Sequence, residues 1–296
     1  MSIVVNTNIA SMNAQRSLMH SGKELQSAME RLSTGKKINS AADDAAGFAI
    51  AENMTAQVRG LSMSAKNASD ALGLLKVVEN ATNDVTDMLQ RIRELAVQAQ
   101  NDTNSAGDIA NLQLEAEALM DEINRVSADT TYNGVSYLAE DAANANATSR
   151  TVNIQVGYND GDVIAITTYA IDSSNLGIID ETAAADDPDF KEHVDANAPG
   201  YLKIDTSSAL ATITAAIEEV AGYKAEWGAG QNRLEYTISN LMNVVEFTTA
   251  ARSRIQDADF AMEAARLAKA QVLQQTGTAM LAQANAAPQL ALQLLK

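Results

Sequence analysis

Residues able to carry covalent chemistry are few in this sequence, and their spacing does not assemble them. Ser33-Thr34-Gly35-Lys36 has the Ser-x-x-Lys spacing in which a lysine can serve a serine nucleophile in acyl transfer. Two fixed positions in four recur often by chance, and the companion motifs are missing. The two histidines, His20 and His193, fall in a helical pattern and in an acidic stretch, and neither accompanies a nucleophile motif. No HExxH, GxSxG or Walker loop occurs. The chain has no cysteine, which removes disulfides, thiol nucleophiles and thiolate metal sites together. Asp180, Glu181, Asp186, Asp187, Asp189, Glu192 and Asp195 gather oxygen ligands of the kind calcium takes. They lack EF-hand spacing and, with Pro188 and Pro199, read as a solvated connection. Asn67, Asn80, Asn101 and Asn146 open Asn-x-Ser/Thr triplets, several inside helical pattern rather than in exposed loops. The reading is a protein that is no enzyme and uses no cofactor or metal.

Apolar periodicity is far stronger than any of these signals. Leu75, Val78, Thr82, Val85, Leu89, Ile92, Ala96 and Ala99 alternate three- and four-residue steps, which keeps one seam facing a partner helix. The pattern returns at Ile109, Leu112, Ala116, Leu119, Ile123 and Val126 after a polar break over residues 100–108. It returns again at Leu210, Ile213, Ile217 and Val220, and at Leu234, Ile238, Leu241 and Val245, with Lys224 and Gln231 interrupting around Trp227. From these rows the expected rod core is Leu75, Val78, Val85, Leu89, Ile92, Ile217, Val220, Leu234, Ile238, Leu241 and Val245. The fold class that follows is mainly α: long antiparallel helices forming a coiled-coil-like rod, with a small β-hairpin in the central region.

That hairpin is read from Val152, Ile154 and Val156 alternating with polar residues, and from Ile164, Ile166 and Thr168 beyond the turn residues Asn159-Asp160-Gly161-Asp162. Tyr132-Asn133-Gly134-Val135 reads as a further turn. No proline precedes Pro188, so a helix nearly continuous over residues 40–99 is permitted, about 90 Å at ~1.5 Å per residue. Ser40 and Asp43 have capping-box spacing for its start, and the C-terminal helical pattern is expected to break near Gly228 and Gly230. At the ends, Leu18, Leu25 and Leu32 with Met29, and Leu273, Met280 and Leu294, form thin seams. Such seams bury too little to offset ordering entropy alone, so both ends are expected to be disordered in the monomer and helical once neighbouring subunits supply the missing contacts.

Composition agrees with a rod. Aromatics are 4% of the 296 residues, too few for an ordinary compact core of this size. The net charge of −17, with no basic stripe, excludes nucleic acid as a partner. No apolar run approaches the ~20 residues needed to span a bilayer, and the first residues lack a secretory signal's basic start. The expectation is a protein that stays in the cytosol, or is secreted without a cleaved signal, and inserts in no membrane.

Three stretches resemble the signatures of bacterial flagellin. Residues 31–47, RLSTGKKINSAADDAAG, resemble its N-terminal signature; residues 89–101, LQRIRELAVQAQN, its central helical one; and residues 253–285, SRIQDADFAMEAARLAKAQVLQQTGTAMLAQAN, its C-terminal one. The resemblance implies an inner, filament-core domain from residues 1–42 and 256–296. It implies a rod domain from residues 43–178, with the hairpin at about 151–169, and 207–255, joined by a short exposed connection at 179–206 that replaces the outer domains of longer relatives. It further implies a structural subunit that polymerises with itself into the extracellular flagellar filament, the propeller of swimming, with Leu18, Leu25, Met29, Leu32, Leu273, Met280 and Leu294 as polymerisation seams. Export unfolded through the flagellar type III route is implied too, as are three protein partners: a secretion chaperone at the C-terminal segment, the filament cap and the hook-filament junction proteins. By the same resemblance Gln90, Arg91, Leu95 and Glu115 match the surface recognised by the vertebrate innate receptor Toll-like receptor five, while Arg91 and Glu94 can equally be solvated or filament-contact charges. A hook-filament junction protein, a monomeric coiled-coil binder and an enzyme using Ser33 and Lys36 are the alternatives.

Overall fold

A computed structural model describes residues 7–139, 148–180 and 200–294. Most of the acidic connection, including His193, therefore lies outside the described residues, as do Asn146 and the side chain of Leu294. The protein is mainly helical: α1 Ile9–Thr34, α2 Ala45–Ala99, α3 Ala106–Asp129, α4 Ala209–Gln256 and α5 Phe260–Leu294. Among the described residues, three two-stranded antiparallel sheets lie between α3 and α4 in the chain: β1 Thr131–Tyr132 with β2 Val135–Ser136, β3 Ser149–Gln155 with β4 Val163–Tyr169, and β5 Ile179–Asp180 with β6 Gly200–Tyr201. Packing divides the chain at Arg59/Gly60 and Val244/Val245 into two compact units.

In the unit holding both chain ends, α1 and α5 lie antiparallel. The Asn8 carboxamide oxygen caps α1 by accepting from the Ser11 amide, and Gly35 ends it at φ 69°, where a Cβ would be strained. Helix α2 starts later than the Ser40–Asp43 spacing suggests. The Asp43 carboxylate accepts from the Asn39 and Ser40 amides, which holds its pKa below the ordinary carboxylate value and folds residues 39–43 into a turn. Asp44 then caps the helix, its carboxylate accepting from the Gly47 amide at 3.0 Å. The expected disorder of the ends is not what the structure displays in the described residues: α1 and α5 are helices, each using the other as partner.

The second unit buries one continuous core. Leu75, Val78, Val85, Leu89 and Ile92 of α2 meet Ala116, Met120 and Ile123 of α3 and Ile213, Val220, Trp227 and Leu234 of α4. Helix α2 breaks after Ala99, as the polar interruption predicts, and α3 restarts from a complete capping box in which Ser105 and Asp108 each bond the other's backbone amide. Helix α4 does not break at Gly228 or Gly230 but runs on to Gln256. An added Cβ at Gly230 would sit 3.5 Å from Leu75 Cδ1, so this glycine lies where α2 comes close. Lys224 and Gln231, which interrupt the apolar register, are absorbed by bonds to α2: Lys224 Nζ donates to Asn83 Oδ1 at 2.6 Å and Gln231 Nε2 to Glu79 Oε2 at 2.7 Å.

The hairpins form where the turn chemistry places them. Asn133 and Gly134 both take positive φ, 52° and 77°, as a two-residue primed turn requires. In the longer hairpin Val152 pairs with Ile166 and Ile154 with Ile164; Ile164, Ile166 and Thr168 point into the core while Val163 and Ala165 face out. Trp227 locks this ribbon down, its indole Nε1 donating to the Thr167 carbonyl at 2.9 Å.

Candidate assembly surface

The terminal helix pair is built from one narrow face of each helix. On α1 that face carries buried Ser11, Ser21 and Ala28, flanked by half-buried Leu18, Leu25 and Leu32. On α5 Glu263 and Ala270 are buried, and Gly277 and Ala284 follow at the same seven-residue interval. Contacts run antiparallel along its length. Asn8 Nδ2 donates to the Ala284 carbonyl at 2.7 Å, Ser11 Oγ donates to Asn285 Oδ1 at 2.8 Å, and Arg31 Nη1 to Glu263 Oε1 at 3.3 Å. Between them Leu18 Cδ1 would be 3.3 Å from a Cβ on Gly277.

The expected seams are therefore divided. Leu18, Leu25 and Leu32 turn toward the chain's own α5 side, whereas Met29, Leu273 and Met280 remain outside, at 50%, 40% and 64% exposure. Met12, Met19, Phe260, Met262 and Val272 are exposed with them, so the terminal pair presents large apolar side chains in number. The rod residues divide as well. Leu75, Val78, Val85, Leu89, Ile92, Val220 and Leu234 are fully buried, and Ile217 and Ile238 pack half-buried against the same core. Leu241 is buried apart from that cluster, and half-buried Val245 belongs with the terminal unit. Tertiary contact adds Leu138, Ile171, Ile178 and Ile204, which no helical period marks, and buries Trp227, which lies seven residues from both Val220 and Leu234.

At the junction of α2 and α3 the Arg91 guanidinium donates from Nε and Nη2 to Glu115 Oε1, at 2.9 and 2.8 Å, and from Nη1 to Glu94 at 3.0 Å. Gln90, Arg91 and Glu115 are exposed together; Leu95 is 1% exposed and faces the core, so it offers no surface of its own. The residues considered for chemistry stay apart. Ser33 and Lys36 are exposed at the end of α1, with Lys36 bridging through its backbone to Asp257. His20 is exposed 3.6 Å from Glu24. Among the described residues no group of three or more His, Cys, Asp or Glu could hold a metal ion, and no helix is long and apolar enough to cross a membrane.

The families described as bacterial flagellin N-terminal helical region and bacterial flagellin C-terminal helical region match residues 5–143 and 210–295. The chain is 40% identical to the flagellin of Halalkalibacterium halodurans over 294 residues, covering 99% of this chain and 100% of the relative. The chain belongs to the bacterial flagellin family. It is likewise 40% identical to the flagellin of Bacillus subtilis over 305 residues, with 99% of each chain covered. Among solved structures the Bacillus cereus flagellin crystal structure is similar at 26% identity, with a TM-score of 0.45 over 60% of this chain and 88% of that one. This short flagellin is a structural subunit of the flagellar filament, the organelle of motility, rather than an enzyme. The buried Glu263 with Arg31 was not anticipated as a site, although Glu263, Ala270, Gly277 and Ala284 carry a legible seven-residue spacing.

Proposed function

We propose that this flagellin polymerises by burying the outer apolar side chains of its paired terminal helices against neighbouring copies. The observation carrying this reading is the exposure of Met29, Leu273 and Met280 beside Met12, Met19, Phe260 and Val272, on helices whose inward face is too narrow to cover them. Each contact joins different patches on successive copies and does not close, which generates a helical polymer. In this reading residues 1–42 and 256–296 form the filament core. Residues 43–178 and 207–255 form the surrounding rod, and residues 179–206 are the short connection in place of outer domains, with Leu202 and Ile204 already packed in the core of the rod unit. The subunit crosses the flagellar type III channel unfolded, with a secretion chaperone on its C-terminal segment, and adds at the tip between the hook-filament junction and the cap. The thin terminal pairing supports that route, since little packing must be undone before export.

Seeded polymerisation of the purified full-length chain, followed by sedimentation and electron microscopy, tests the assembly reading. Long uniform tubes are expected, and a persistent monomer under all salt and seeding conditions would overturn it.

A second reading rests on the Arg91–Glu115–Glu94 cluster. Gln90, Arg91 and Glu115 form a polar, outward surface of the kind Toll-like receptor five recognises in flagellins, with Leu95 holding α2 in place beneath. Arg91→Ala is expected to lower receptor signalling in a reporter-cell assay by about tenfold or more, as hot-spot arginines do. Unchanged signalling would exclude the cluster as the recognition surface.

A further inference from the structure

Glu263 is the one charged side chain buried among the described residues, at 4% exposure, and it lies within the contact between α1 and α5. Its carboxylate Oε1 accepts from Arg31 Nη1 across the helix pair at 3.3 Å and from Arg266 Nη1 on its own helix at 2.8 Å. A buried ion pair is weak evidence for stability, because desolvation offsets most of the attraction; its best-attested use is to specify one arrangement among several.

An alternative arrangement is available here. The face α5 turns inward is poor in apolar area: Ala270, Gly277 and Ala284. Leu273 and Met280, each three residues further along and about 60° around the helix, stay outside at 40% and 64% exposure. Apolar burial alone favours rolling α5 by that angle, which would bring Leu273 and Met280 toward Leu18 and Leu25. The backbone does not forbid the roll. Ala258 N donates to the Gly35 carbonyl at 2.9 Å and Lys37 N to the Gln256 carbonyl at 2.7 Å, which fixes where the helices begin along their axes. These bonds precede α5 and leave its rotation to side chains. Rolling α5 would pull the buried Glu263 carboxylate away from the half-buried Arg31 guanidinium and cost the pair its bond across the helices. Two polar contacts at the far end act in the same sense but are between neutral groups: half-buried Asn8 donates to the Ala284 carbonyl, and buried Ser11 donates to the exposed Asn285.

We propose that Glu263, paired with Arg31, is the positioning residue that sets the rotational phase of α5 on α1, holding the small face inward and keeping Leu273 and Met280 outside for a neighbouring subunit. The part concerning the neighbour rests on the assembly reading above; the phase itself does not.

Because the chain has no cysteine, introduced thiols report the phase directly. In the full chain, Leu18→Cys with Gly277→Cys is expected to crosslink under mild oxidation, and Leu18→Cys with Met280→Cys at least about tenfold less, since Cys pairs whose Cβ vectors diverge do not bridge. Adding Arg31→Leu and Glu263→Leu, which keeps the site filled, is expected to preserve helicity while shifting crosslinking toward position 280 and lowering seeded polymer yield. The charge-reversed chain R31E/E263R/R266E is expected to recover the parent crosslinking pattern. Crosslinking that stays at position 277 in the leucine pair overturns the proposal, and so does a charge-reversed chain that fails to recover it. If the leucine pair loses its fold, the charge-reversed chain alone decides. A phase that shifts to position 280 with undiminished polymer yield would instead uphold Glu263 and overturn the assembly role of Leu273 and Met280.

Discussion

Trp227→Phe probes how firmly the β3–β4 ribbon is held to the rod. Trp227 is the only tryptophan and is 1% exposed; its indole nitrogen donates to the Thr167 carbonyl at 2.9 Å and its ring lies 6.3 Å from Tyr223, which stacks on Tyr169 at 4.0 Å. Phenylalanine keeps one ring in place but offers no donor. A fully buried carbonyl left without its partner costs about 1–3 kcal/mol, and the part-buried Thr167 carbonyl stands toward the low end of that range. The volume removed adds on the order of 1 kcal/mol at ~24 cal/mol per Å³ of cavity. A loss of about 2–4 kcal/mol lowers Tm by roughly 5–15 °C in a domain of this size class. Thermal unfolding followed by circular dichroism measures the loss, and amide exchange is expected to quicken along β4 more than along α2. A Trp227→Phe chain melting within about 2 °C of the parent would refute the view that this bond docks the ribbon.

Three further outcomes follow from particular contacts. Gly60→Ala places a Cβ 2.8 Å from Tyr158 Cβ and is expected to destabilise, whereas Gly222→Ala meets nothing within 4 Å and is expected to stabilise α4 by about 1 kcal/mol; thermal melts of both compare the signs directly. Burial, and then its hydrogen bond to Asp121, push the Tyr201 phenol up to about 12 from an ordinary 10.0. The stability Tyr201 contributes is thus complete below the ordinary value and lost as pH rises through the folded one. Tyr201→Phe should remove that alkaline loss in unfolding curves taken across this window. Met19→Glu or Met280→Glu changes an exposed position, so stability is expected to hold within about 0.5 kcal/mol. The mass of seeded polymer that sediments should fall sharply all the same, and an unchanged yield would remove that side chain from the assembly surface.

Much of the helical scaffold is legible in the sequence because its signals are local. Three- and four-residue apolar steps at Leu75 to Ile92 compel one buried stripe on α2, and the run without proline lets that helix persist. Asn133-Gly134 carries the positive φ angles of its turn in its own residue types. Local signals also misled where two of them competed. Ser40 and Asp43 have the right spacing for a helix start, but Asp44 caps the first exposed amides and takes the start for itself. Gly228 and Gly230 read as a break, yet α4 runs through both: a glycine costs a helix only about 1 kcal/mol, which the burial of Val220, Trp227 and Leu234 on the same helix outweighs.

What the sequence by itself determined is which stretches are helix, which are ribbon, and that no catalytic constellation is assembled from its serines and histidines. The tertiary structure decided how the faces are shared out. Seven-residue spacing makes Leu18, Leu25, Leu273 and Met280 equivalent as seam residues, because periodicity records that a side chain is apolar and not which surface covers it. Only the antiparallel pairing of α1 with α5, with Glu263 buried against Arg31, turns the leucines of α1 inward and leaves Leu273 and Met280 outside. Contacts between residues more than two hundred positions apart leave no mark in any local period, and they are what separate the chain's own core from the surface it offers to its neighbours.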